Sequence, residues 1–74
     1  LELSVAQGGA VDVAVFDLHG RRVRTLVSST LPRGVLPLQW DGRDDHGHLV
    51  SSGVYIFRLR TGDQTETARG VLVK

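Results

Sequence analysis

Apolar residues recur at every second position along most of this chain, which restricts it to extended strands with one buried face. Leu1, Leu3 and Val5 alternate with Glu2 and Ser4, and Val11, Val13 and Val15 alternate with Asp12 and Ala14. Successive side chains of a strand point to opposite faces, so each apolar set lines one side of a sheet. Val54 to Arg60 is the clearest case: Tyr55, Phe57 and Leu59 face one way, Arg58 and Arg60 the other. No window carries a 3.6-residue period bounded by caps, so no helix is expected.

Turn residues punctuate these segments. Gly8-Gly9 predicts a hairpin between the first two strands. Asp17-Leu18-His19-Gly20 predicts the next turn, because an Asp side chain accepts from backbone N–H groups two residues on and Gly supplies a positive φ. A third strand is expected over about Arg22 to Ser28. Val23 and Leu26 lie three apart there, so both face the core only if a β-bulge intervenes. Pro32-Arg33-Gly34 turns the chain into a strand from Val35 to Trp40, with Leu36, Leu38 and Trp40 on one face. Pro37 cannot donate to a ladder and assigns that strand to a sheet edge. Asp41 to His48 reads as a polar loop, Leu49-Val50 as a short extended piece and Ser51-Ser52-Gly53 as a turn. Thr61-Gly62-Asp63 closes the hairpin to a last strand, Gln64 to Val73. Six or seven short strands with such regular turns predict an antiparallel sandwich. Its expected core is Leu3, Val5, Val13, Val15, Val23, Leu26, Leu38, Trp40, Tyr55, Phe57, Leu59 and Leu72.

Length and charge bound what such a domain can do. Seventy-four residues make one domain, 1–74, and a chain this small buries only about 60% of the surface its unfolded form exposes. Cysteine is absent, which removes both a disulfide framework and a thiolate metal site. A net charge of +1 argues against nucleic acid as a partner, although eight of the nine basic residues are Arg. No apolar run approaches the roughly 20 residues of a membrane-spanning helix, and Leu1-Glu2-Leu3-Ser4 does not read as a signal peptide. Lacking an initiating Met, the chain is expected to be a fragment or C-terminal module of a larger protein.

Four stretches, in order, carry a family likeness. Val13 to Phe16 leads into Asp17, two variable residues and Gly20-Arg21; Val23-Arg24-Thr25-Leu26 follows. Trp40-Asp41-Gly42 comes next, with Asp44, Asp45 and Gly47 downstream, and then Ser52-Gly53-Val54-Tyr55. Together they resemble the immunoglobulin-like domain of the flagellar hook-capping protein and related C-terminal modules of secreted bacterial proteins. The Gly70-Val71-Leu72-Val73-Lys74 ending is similar to the apolar strand and basic residue that close such modules. The resemblance implies an all-β, immunoglobulin-like antiparallel sandwich of about seven short strands, working in assembly, attachment or export without catalysis. It also implies an extracellular or cell-surface location. The implied partners are other domains of a parent chain, a secretion or assembly machinery, or further copies of the domain.

Several residues invite chemistry. Asp41, Asp44 and Asp45 could together hold a hard cation such as Ca²⁺, though the spacing is not that of an EF-hand and Arg43 lies among them. The alternative is that Asp41 and Asp44 cap the loop by accepting from backbone N–H groups, with Asp45 solvated. His19, His46 and His48 read as metal ligands, as a general base, or as loop histidines exposed to water. Ser28-Ser29 and Ser51-Ser52 lack the Gly-x-Ser-x-Gly elbow of a serine nucleophile. Trp40 is either a sugar-stacking platform or a buried anchor whose indole N–H donates to a loop carbonyl. Arg21, Arg22, Arg24, Arg58 and Arg60 form one basic stripe if their strands are neighbours, either facing an anionic glycolipid or an acidic partner, or solvated and partly paired with Asp12 and Glu66.

Three functions follow as expectations. The first is an accessory module for export or surface attachment, and the second is an assembly subunit joined through sheet edges. The third is a weak Ca²⁺-dependent carbohydrate-binding domain.

Overall fold

The computed structural model describes residues 2–5, 8–62 and 64–73. Six strands form among them: β1 (Glu2–Val5), β2 (Gly9–Phe16), β3 (Arg22–Leu31), β4 (Gly34–Pro37), β5 (Gly53–Thr61) and β6 (Gln64–Leu72). They are antiparallel throughout. One sheet has the order β3-β2-β5-β6, and β1 pairs with β4 in a separate ribbon. No helix occurs among the described residues.

Three expectations need correcting. The hairpin over Gly8-Gly9 does not form, because β2 lies between β3 and β5 and has no free edge for β1. Strand β1 instead takes β4, pairing Leu3 with Leu36 and Glu2 with Pro37. The described strands number six rather than about seven, since Leu49 makes only an isolated bridge to Arg43. The strand expected to reach Trp40 ends at Pro37. Because β4 pairs with β1 alone, Pro37 does stand on an edge.

The bulge demanded by Val23 and Leu26 is present twice over. Between β2 and β3 the register runs Val13↔Val27, then Ala14↔Thr25, skipping Leu26. It next runs Val15↔Arg24, then Phe16↔Arg22, skipping Val23. Each extra residue resets which face its neighbours occupy. Strand β3 also continues to Leu31, past the expected Ser28.

Val5, Val11 and Val13 make the buried cluster, with Leu26, Val27, Leu31, Leu38 and Leu59 packed against it. Val5, Val13, Val15 and Tyr55 are buried as expected, whereas Val23, Leu26, Leu38, Trp40, Phe57, Leu59 and Leu72 are half-buried. Val11 joins the core, and Ala14 is buried on the opposite face of β2. The Leu3 and Leu36 side chains, and Leu1 altogether, lie outside the described residues. The ring of Phe57 occupies the space a Cβ on Gly70 would need, so β6 crosses the aromatic layer only because residue 70 has no side chain.

Candidate functional site

The polar segment from Trp40 to Val50 folds as a clamp that packs on β5 and β6 of the four-stranded sheet and fastens to its β3 edge. The Trp40 indole N–H donates to the Arg43 carbonyl at 2.9 Å, as the buried-anchor reading requires. Its ring meets Tyr55 edge-on (centroids 5.0 Å apart, planes at 71°) and Phe57 likewise (6.0 Å, 81°). Aromatic pairs favour this geometry because a positive ring edge meets a negative face. The Tyr55 hydroxyl donates to the Ser51 carbonyl at 2.7 Å, closing the far end of the segment. Gly42 turns the chain at φ +75°, and a Cβ there would stand 3.3 Å from the Leu72 side chain. A larger residue at 42 would therefore meet both a disfavoured backbone and a filled space.

The three aspartates are brought into one loop but not around one point. Asp41 Oδ1 accepts from the Arg43 amide at 3.0 Å and from Arg24 Nη1 at 3.3 Å. Asp44 Oδ1 accepts from the His46 and His48 amides, each at 2.9 Å. The His48 amide, and then that of His46, hold the Asp44 carboxyl below its ordinary value. Capping by Asp41 and Asp44 is thus realised in full. Asp45 is exposed, as the solvated reading has it, and is also bonded: its Oδ1 accepts from the Thr25 amide, and its own amide donates to the Val23 carbonyl, both at 3.0 Å. One residue so continues the ladder of β3 on its outer edge. Among the described residues no group of three or more His, Cys, Asp or Glu side chains is arranged to hold a metal.

Arg24 belongs to this clamp and not to the basic stripe. Its register partner is Val15, so the second bulge turns it to the core face of the sheet. There its guanidinium reaches Asp41 Oδ1 and the carbonyls of Arg43 and Asp44 at 3.3–3.4 Å. Arg22, Arg58 and Arg60 remain on the other face, opposite Phe16, Ala14 and Asp12. Arg69, opposite Ile56 on β6, joins them. Arg58 lies over the Phe16 ring, 4.5 Å from its centre, in a cation–π contact. Arg21 is tied into its own turn by Asp17 at 3.1 Å. Glu66 faces the opposite side of the sheet, across from Leu59. Strict alternation cannot foresee this sorting, since it counts through a bulge as if none were there.

The remaining candidates stay apart. His46 and His48 are exposed with ring centroids 6.4 Å apart, and His48 Nδ1 lies 4.0 Å from Asp44 Oδ2. His19 is exposed on the Asp17 turn, and Ser28-Ser29 sit on the exposed half of β3. On the core side, Leu26, Leu38, Trp40, Phe57 and Leu72 line a groove of about 630 Å³ together with the polar Arg24, Gln39 and Asp41. Sequence reasoning missed Arg69, Phe16 and the clamping roles of Arg24 and Asp45. Only the Val-Arg-Thr-Leu spacing, with its implied bulge, held a signal for Arg24.

Compared with known proteins, residues 3–65 match the family model described as the FlgD Ig-like domain. No curated protein and no solved structure matches the chain.

Proposed function

The chain belongs to the FlgD Ig-like domain family, and from that premise we propose that it is a non-catalytic structural module of an exported bacterial assembly. It holds proteins together through the surfaces of its sheet. One observation carries this reading: the polar groups of the Trp40–Val50 loop are spent on the domain's own backbone, whereas four arginines and a whole sheet edge are not. Such a division fits a scaffold that presents a surface better than a site that turns over a substrate. The β1–β4 ribbon is the second layer of a small β-sandwich in this reading, supported by Val5 packing with Val11 and Val13.

A second reading is an accessory module that serves export or cell-surface attachment. It is favoured by the exposed apolar residues Val71, on β6, and Val73, just past it, which are 70% and 81% exposed and offer a docking surface. Deleting the whole 74-residue domain from the protein that carries it separates the two readings in a producing bacterium. Export without assembly supports the first reading, and loss of export or surface retention supports the second. A protein that is exported, retained and assembled normally without the domain contradicts both.

A further inference from the structure

The two edges of the four-stranded sheet are treated differently. The β3 edge is occupied where Asp45 donates to the Val23 carbonyl and accepts from the Thr25 amide. The β6 edge has no partner among the described residues over its whole length, and Gln64 to Arg69 are exposed. A bare strand of nine residues is a template for an added strand, since its outward N–H and C=O groups are free to pair.

The face beside that edge has a strongly one-sided charge. Arg58, Arg60 and Arg69 lie on it by register on β5 and β6, and Arg22 lies at its far side on β3, with Asp12 the one carboxylate among its described strand positions. None of the four takes part in an ion pair among the described residues, where the paired arginines are Arg21 and Arg24. Arg58 Nε is buried without a hydrogen-bond partner and its guanidinium lies over Phe16, so Arg58 adds charge to the face while Arg60 and Arg69 offer the exposed donors. Unpaired guanidiniums match carboxylates, which they bind with two parallel N–H donors.

We propose that β6 accepts an added extended segment of an acidic polypeptide, with carboxylates that meet this arginine face. The register defines its pattern. On the arginine side β6 presents Thr65, Thr67, Arg69 and Val71, beside Arg60, Arg58, Ile56 and Val54 of β5. Neighbouring strands are about 4.8 Å apart, so Arg60 is about 10 Å from an added strand, within the joint reach of Arg and Glu side chains. Acidic residues at three alternate positions therefore face Thr65, Thr67 and Arg69, and an apolar residue at the fourth covers Val71. A second copy of β6 does not fit, because it would bring another Arg69 and no acid to a face that is already cationic. The inference rests on the reading of this domain as a binding module.

The test uses the 74-residue chain, ¹⁵N-labelled, with a blocked peptide carrying Glu at three alternate positions, Val at the fourth and Thr between. Binding should protect alternate β6 amides from exchange, weaken with salt, and fall roughly tenfold when Arg60→Glu and Arg69→Glu are combined. A Lys-for-Glu peptide on the unaltered chain should bind no better than background, a control independent of any variant's folding. Each of these results overturns the proposal: no binding at millimolar peptide, equal binding of the Lys peptide, protection at β3 instead of β6, or β6 protection that arises from self-association without peptide. Capture on vesicles containing phosphatidylglycerol with no peptide binding would assign the arginines to a lipid surface and also overturn it. These outcomes leave the assembly reading to the deletion experiment, which does not depend on the peptide.

Discussion

The chain contains the same turn twice, and the two copies carry different weight. Asp17-Leu18-His19-Gly20-Arg21 joins β2 to β3, and Asp44-Asp45-His46-Gly47-His48 lies in the clamp. In each, the Asp Oδ1 accepts from the amides two and four residues on, at 2.9–3.0 Å. In each, the Asp amide donates to the carbonyl four residues on, and the glycine amide donates back to the Asp carbonyl. The glycines stand at φ +82° and +85°, a conformation that other residues rarely adopt. Yet the first turn projects Leu18 into solvent at 64% exposure, while the second puts Asp45 at the same position and fastens it to β3. Local sequence makes the turn, and one residue within it decides whether the turn becomes a tertiary contact.

The clamp's largest dependence should be on Trp40, which joins the loop carbonyl of Arg43 to the Tyr55 and Phe57 rings. Trp40→Ala is expected to cost about 3 kcal/mol in urea denaturation, the lower end for losing a large aromatic because the ring is half-buried. Arg24→Ala comes next, at about 2 kcal/mol, since it strips a charged donor from Asp41 and two carbonyls. Arg22→Ala, on the other face, should change the same midpoint little. Asp45→Leu converts the second turn into a copy of the first and should cost about 1 kcal/mol. The reciprocal Leu18→Asp should be close to neutral, and an equal loss from both exchanges would show that position 45 is not special.

The smallest effect is on pH dependence and should be shared by both turns. The Arg21 amide holds Asp17, and the His48 amide holds Asp44, below the ordinary value of 3.8. A carboxylate with a lowered folded-state pKa contributes its stability in full above the unfolded value and loses it as pH falls through the folded one. The melting temperature should therefore be flat above 3.8 as far as these groups are concerned, and decline below it. Asp17→Asn with Asp44→Asn should flatten that decline.

Much of this was legible in the residues. Alternation identified β2 and β5 and their core faces, because side-chain direction in a regular strand follows from parity alone. Trp40-Asp41-Gly42 announced an indole anchor and an Asp cap, both local hydrogen-bond events. Partner choice was not legible: parity says which face Val5 buries, not that β4 and not β2 supplies its ladder. The bulge at Val23 put Arg24 on the face opposite Arg22, and Asp45 found Thr25 across 20 positions of sequence. Those are long-range facts, set by packing that no window of sequence contains.

The central claim is that the clamp covers the β3 edge at Val23 and Thr25 and leaves β6 open, and native-state amide exchange tests it residue by residue. Asp45 and Thr25 should exchange slowly and together, while the His19 amide of the first turn and alternate amides of β6 exchange fast. Asp45 and Thr25 amides that exchange as fast as His19, or a β6 edge protected along its whole length, would contradict it.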